Sequence, residues 1–375
     1  MTKLSFINAK TNVKKLQFGV DKCHPIHVGG QEHLTPELYV DNWEVKKISE
    51  EGKGVKNLKD VCEGDIMVER ADADTYLGDI ISKDGSNKKN IMARKAKGHG
   101  IVKQILEAIC FGPYEIEVAL LLRNALLLNG ILTNSEVWYG TTLEETKQLE
   151  QIDEILLRKI LETPSSSPKC MLYLETGCKP IRFIIQARRL VYLQYILKED
   201  PDSLLSKFFH AQDSQPLKND WALTCKNDMN ELELNYTYEE IRNMSVEKFK
   251  NKVNKATTKL ALKFLNDEKN KLSKVLHIQF SELKLQEYLL PKKTSVKLAK
   301  FIYQARNRML DVKANYGNKY GNNLLCPICE DPDFFDTQQH LLECDGLADN
   351  SLVHRVPVYE DLFSKDVATK SWRKD

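Results

Sequence analysis

Near its carboxy-terminal end the chain reads CPICEDPDFFDTQQHLLEC, which sets Cys326, Cys329, His340 and Cys344 in the spacing C-x2-C-x10-H-x3-C. The two-residue gap of CPIC lets both thiolates of one tight turn approach a single ion. Asp336 suits a helix N-cap, with Gln339 three residues on, so the sequence predicts a helix beginning near Thr337. His340 and Cys344 then stand at i and i+4 on one face, aimed at the same point. Three thiolates and an imidazole form a closed tetrahedral set suited to zinc, and soft sulfur argues against magnesium or calcium. The competing reading is free core cysteines beside a chance histidine, against which four ligands in register weigh heavily. A closed set leaves no position for water, so hydrolytic catalysis at the metal is not expected.

The surroundings bear on what such a metal serves. From Cys326 to Asp366 ten acidic residues stand against two basic ones, a net charge of −8. A finger that grips phosphate should be basic. The expectation is therefore a structural zinc that folds this end of the chain and fixes the basic helix before it, without reading bases itself.

The remaining composition is that of an ordinary globular protein, with 42% hydrophobic and 29% charged residues among 375 and a net charge of +2. Any nucleic-acid binding must come from local patches rather than bulk charge. The opening MTKLSFINAK lacks the apolar core of a signal peptide. The nine cysteines are an odd number and are not spaced as a disulfide framework, so an intracellular, reducing compartment is expected, nucleus or cytoplasm alike. The run VALLLRNALLLNGIL is broken by Arg123, Asn124 and Asn129. It falls short of the ~20 apolar residues a bilayer requires, so it reads as a buried core helix and no membrane partner is expected.

Around these residues the pattern predicts an α+β fold, mainly α. Four segments are expected: a β-rich part at 1–82, helical regions at 83–165 and 166–320, and a metal knuckle with its tail at 321–375. The first carries eleven basic and fourteen acidic residues. In LEETKQLEQIDEILLRKIL, Leu149, Ile152, Leu156 and Ile160 form one stripe behind a capping box of Thr142 and Glu145. TPSSSPKC is a break, and Pro180 suits the first turn of the next helix. A second capping pair, Thr237 and Glu240, precedes a long segment in which Phe249, Val253, Leu260 and Phe264 recur at helical spacing. Two basic islands stand out. Residues 83–103 hold seven Lys or Arg against one Asp, including Lys88, Lys89, Arg94, Lys95 and Lys97. Residues 284–320 hold nine against two, and there Lys297, Lys300, Gln304 and Arg308 are expected on one helix face beside an apolar stripe of Leu298, Ile302, Ala305 and Met309. Such a helix can dock by its stripe and meet phosphate with its basic face. A merely solvated lysine-rich face is the alternative for each island.

An ordered series of segments resembles the C-terminal part of a non-LTR retrotransposon reverse transcriptase. KKLQFGVDKCHPIHVG resembles the stretch after the catalytic aspartate hairpin, and TYLGDIISKDGS the strand pair that follows it. ARKAKGHGIVKQI through LLRKIL resembles the thumb. ETGCKPIRFIIQARRLVYLQYIL, FIYQARNRMLDVKANY and CPIC…DTQQHLLEC then follow the order of the C-terminal helices and terminal CCHC zinc knuckle. The resemblance covers nearly the whole chain and implies an RNA/DNA template–primer as partner. By residue it implies that Lys22 is a remnant general acid toward pyrophosphate, that Tyr76, Leu77 and Gly78 lie at a primer grip, and that Arg94, Lys95 and Lys97 track the duplex.

The departure from the family concerns catalysis. Polymerase chemistry needs two magnesium ions clamped by carboxylates, and this sequence contains no Asp-Asp pair. The family's aspartates, fingers and most of the palm would precede Met1, so no polymerisation and no magnesium are expected of the chain as it stands. A residual enzyme would need an aspartate cluster from Asp65, Asp72, Asp74 and Asp79. The alternative to a decayed nucleic-acid-binding polymerase fragment is a zinc-stabilised helical module that binds a protein partner.

Overall fold

The structure, a computed structural model, describes residues 39–40, 66–67, 72–110, 114–218, 220–276, 278–290, 295–316, 319, 321, 323–329 and 331–344. Lys22 and Asp65 lie outside the described residues. The fold is α+β and mainly α. The chain divides into two compact units, Met1–Met92 and Ala93–Asp375, with the boundary inside a helix.

In the first unit, β1 (Tyr39–Val40) pairs antiparallel with β2 (Ile66–Met67), and β3 (Ala73–Tyr76) with β4 (Asp79–Ser82). The β3–β4 register sets Tyr76 opposite Asp79, leaving Leu77 and Gly78 as a two-residue loop. Their φ values of 48° and 87° are both positive, as a type I′ hairpin demands. Asn90 ties the start of the next helix to this hairpin: its amide donates to Asp79 Oδ1 at 2.9 Å and accepts from the Ile80 N–H.

That helix, α1 (Lys88–Cys110), leads into the second unit. α2 (Ile116–Leu122) continues through a π-helical turn at Arg123–Leu128 and ends at Asn129–Ile131. The expected core run is thus helical but not uniformly buried: Leu127, Leu128 and Ile131 are inside, whereas Leu121 and Leu126 face water. Arg123 is also inside and makes a bidentate pair with Asp153. Burial opposes its charge, but the Asp153 carboxylate more than compensates and raises the Arg123 pKa.

Asp153 belongs to α3 (Leu143–Ile160), which begins with the Thr142–Glu145 capping box and buries Leu149, Ile152, Leu156 and Ile160 completely. α4 (Lys169–Thr176) ends at Gly177, whose φ is +68°. A Cβ there would strike the backbone of Lys284 and Leu285, which runs beside the helix end, where Thr176 bridges Leu285 and Gln286 N–H donates to Glu175 O. Only glycine meets both demands.

Pro180 is the N-cap of α5 (Ile181–Lys198), the helix around which α6 (Leu204–Ser214), α7 (Trp221–Glu231) and α8 (Tyr238–Asn243) gather. The Thr237–Glu240 capping box forms, but it caps only the short α8. A second start at Ser245 opens α9 (Val246–Asn270), whose buried residues include Phe249, Val253, Thr257, Ala261 and Leu265. Leu190, Leu193, Phe209, Ala222, Cys225 and Ile241 close the core with Phe249 and Val253. α10 (Val296–Arg306) and α11 (Gln338–Glu343) follow. No helix of the described residues is long and apolar enough to cross a membrane.

Candidate metal centre

The backbone of the knuckle is a short antiparallel bridge followed by a helix. Leu325 bridges Phe335, Cys326 N–H donates to Phe334 O at 3.0 Å, and Asp336 N–H donates to Leu324 O at 2.7 Å. Cys326 and Cys329 stand on the turn that leaves the bridge. Thr337, not Asp336, is the N-cap of α11: its hydroxyl accepts from His340 N–H at 3.0 Å. Asp336 is taken up elsewhere, its carboxylate accepting from Lys313 N–H at 2.8 Å. That correction moves the helix start by one residue and leaves His340 and Cys344 one turn apart.

The four ligand atoms lie within 4.8 Å of one another, with Cys326 and Cys344 buried. Cys326 Sγ is 4.0 Å from Cys344 Sγ, and Cys329 Sγ is 3.3 Å from His340 Nε2. With metal–sulfur bonds of about 2.3 Å, a tetrahedral zinc site has edges of roughly 3.8 Å, so these separations fit an ion at the centre. Burial pushes the Cys326 thiol up, but the N–H groups of Cys329 and Ile328 together with the neighbouring Cys329 and Cys344 thiols outweigh it and hold the group below its ordinary value, favouring the thiolate a metal requires. Phe334 stacks flat on the His340 ring, with centroids 4.8 Å apart and planes 7° from parallel, and so fixes its orientation. Among the described residues this is the only group of three or more His, Cys, Asp or Glu side chains that can share an ion. Asp72, Asp74 and Asp79 are not gathered: Asp72 faces Lys83 at 3.8 Å, Asp74 accepts from Thr75 N–H, and Asp79 accepts from Asn90.

The knuckle is fastened to the end of α10 and to the segment that follows it. Gln338 Nε2 donates to Ala305 O at 2.8 Å, its Oε1 accepts from Asn315 Nδ2 at 2.9 Å, and Lys313 Nζ donates to Leu325 O at 2.9 Å. α10 in turn is pinned to the segments around α3 and α4. Arg306 Nε pairs with Glu175 at 2.9 Å, both side chains being almost wholly buried, and Tyr303 meets Ser167 at 3.2 Å.

This docking corrects the expected basic face of the second island. Lys297 is exposed, but Lys300 is 7% exposed, pairs with Glu162 at 2.6 Å and lies 5.0 Å above the Tyr114 ring. Arg308 lies beyond the helix, after the C-cap Asn307, in a left-handed conformation with φ 52°. The three cations therefore do not share one outward face. In the first island Lys88, Lys89 and Lys97 are exposed. Lys95 reaches Gln151 at 3.4 Å, and Arg94 is 4% exposed and donates to Gly130 O at 3.3 Å, so it is a packed side chain rather than a phosphate contact. Tyr76 and Leu77 project at the hairpin tip, 65% and 78% exposed, instead of packing on a core.

Sequence reasoning gave no sign of the buried pairs Arg123–Asp153 and Arg306–Glu175, whose partners are 30 and 131 residues apart. Comparison with known proteins adds no identity: no family model, no curated protein and no solved structure matches this chain.

Proposed function

We propose that Cys326, Cys329, His340 and Cys344 hold a structural zinc ion, and that the chain is a reverse-transcriptase-like C-terminal segment that binds nucleic acid without polymerase chemistry of its own. The closed, soft ligand set supports the zinc, whose contribution is folding free energy rather than reactivity. Its fastening to α10 supports the role of a staple, because Gln338 of α11 donates to the Ala305 carbonyl at the helix end, while Asp336 just before α11 accepts from Lys313 N–H in the segment that follows α10.

The observation that carries nucleic-acid binding is the charge of α1. It holds six Lys or Arg against Glu107 alone, and Lys88, Lys89 and Lys97 point to solvent outside any ion pair among the described residues. Contacts of this kind grip the phosphate backbone with little base selectivity and weaken steeply with salt. The ordered resemblance to the reverse-transcriptase thumb agrees with that role. The test is the zinc content of the purified chain together with its salt-dependent binding to an RNA–DNA hybrid. Stoichiometric zinc and a salt-sensitive complex are expected; a chain that holds zinc but ignores the hybrid overturns the nucleic-acid reading.

One observation favours the second reading, a helical module that binds a protein. Val137, Tyr139, Leu205, Phe208 and Trp221 line an apolar cleft of about 430 Å³, with Phe208 62% exposed. Exposed aromatic surface of this kind is more common at protein interfaces than on free monomers.

A further inference from the structure

α5 presents Ile184, Ala187, Arg188, Val191, Tyr192 and Tyr195 to a groove of about 600 Å³, whose opposite wall carries Lys250 and Asn254 of α9. The spacing on α5 is that of a single helical face. Lys179, at the foot of α5, and Glu136 complete the charged lining, which therefore sets three cations against one carboxylate. Among the described residues none of those cations is in an ion pair. Lys179 Nζ donates to Thr257 Oγ1 at 3.3 Å, and Arg188 donates to Leu132 O, to Asn129 Oδ1 at 3.3 Å and to Ser135 Oγ at 3.5 Å. Neutral acceptors satisfy the N–H groups but do not neutralise the charge. Burial accordingly depresses the pKa of both Lys179 and Arg188, with only Glu136 opposing it at the arginine.

The same face carries an aromatic stack. Tyr192 and Tyr195 lie 5.6 Å apart with planes 16° from parallel, and Tyr192 meets Trp221 edge-on at 5.9 Å. Tyr195, the outer ring, is 52% exposed, with the Glu199 carboxylate near its hydroxyl. Cations outside any ion pair, beside a ring open to stacking, are what a nucleotide strand uses, its phosphates on the charges and its base on the ring. A carboxylate-rich peptide would use the cations and leave the stack idle, and a duplex would keep its bases out of reach.

We propose that this groove binds a short run of single-stranded nucleic acid, with phosphates against Lys179, Arg188 and Lys250 and a base stacked on Tyr195. The inference rests on the nucleic-acid reading for its class of ligand, but places it on α5 and α9 rather than on α1.

Fluorescence anisotropy of the full, zinc-loaded chain with a labelled single-stranded thymidine oligonucleotide and an RNA–DNA hybrid of equal length tests it. Tyr195→Ala is expected to weaken single-strand binding about tenfold. Lys250→Gln is expected to lower the slope of log affinity against log salt by about 0.7. Both side chains are exposed, so unchanged melting curves are expected alongside, and neither variant should alter hybrid binding. Single-strand affinity unchanged in both variants overturns the proposal, as does poly-glutamate competing as well as the oligonucleotide. A wild-type chain that binds the hybrid but no single strand sinks the groove alone. One that binds the single strand through these residues but no hybrid sinks only the α1 reading.

Discussion

The two basic islands have nearly the same local charge, +6 over residues 83–103 and +7 over 284–320, yet the fold uses them in opposite ways. On α1, Lys88, Lys89 and Lys97 face water. On α10, Lys300 and Arg306 turn inward to Glu162 and Glu175, and Arg308 falls beyond the helix. A run of Lys and Arg thus measures charge, not its availability. What decides is whether carboxylates elsewhere in the chain reach that helix face, and for α10 they arrive from before and within α4.

The largest effect that sharpens this contrast concerns the metal. Cys329→Ser, or chelation of the wild type, removes a ligand set whose zinc binding is worth on the order of 10 kcal/mol in small modules. Loss of zinc, earlier thermal unfolding and faster amide exchange over α10 and α11 are expected, with α1 unaffected. If metal binding is abolished while exchange over α10 stays as in the wild type, the knuckle is not its staple. Next in size is Glu175→Gln. It leaves the Arg306 guanidinium buried without its counter-charge, which typically costs about 3–5 kcal/mol in denaturant unfolding. Glu162→Gln is a built-in control, because the Glu162 side chain is 66% exposed and solvent screens its pair with Lys300; a loss of less than about 1 kcal/mol is expected. Equal losses from the two substitutions would erase the distinction between a buried and a screened pair on α10.

The parts of this fold legible in the sequence are those set by neighbours along the chain. Both capping boxes form where Thr-x-x-Glu occurs, and the α3 stripe is buried as its period demands. The four ligands come together because one tight turn and one helical turn suffice to place them. Where several local signals compete, legibility fails by small steps. Thr337 caps α11 because Asp336 is drawn to Lys313 N–H, and Ser245 restarts the helix although a lysine rather than a glutamate stands at its third position. Long-range choices are invisible. Lys300 and Glu162 are 138 residues apart, and nothing near either announces the other. The groove cations come from three separate places, Lys179, Arg188 and Lys250, so no charge run marks them.

On α1 the expected effect is on binding rather than stability. Charge reversal of Lys88, Lys89 and Lys97 together removes exposed contacts, so unfolding should shift by no more than about 0.5 kcal/mol per site. Hybrid affinity should fall and its salt slope flatten by about 0.9 per lost phosphate contact. The matching reversal at Lys297 tests the other island. If it weakens binding as much as the α1 triple variant does, α10 still carries a working basic face despite its buried pairs.

The smallest effect lies at Lys179 and is one of sign. Burial lowers its pKa in the folded state, with no carboxylate to offset the cost. A base with a depressed folded pKa favours folding only above its unfolded pKa, about 10.4 for lysine, and that contribution disappears as pH falls through the folded value. At neutral pH the ammonium is therefore a burden, and Lys179→Met should raise the melting temperature slightly, with the advantage fading as pH climbs toward 10. A phosphate in the groove opposes that burden by supplying the missing counter-charge. Excess single-stranded oligonucleotide should then raise the melting temperature of the wild type more than that of Lys179→Met. If the methionine variant is less stable at neutral pH, the Thr257 hydrogen bond outweighs desolvation, and Lys179 is an internal tie rather than a cation held ready for a ligand.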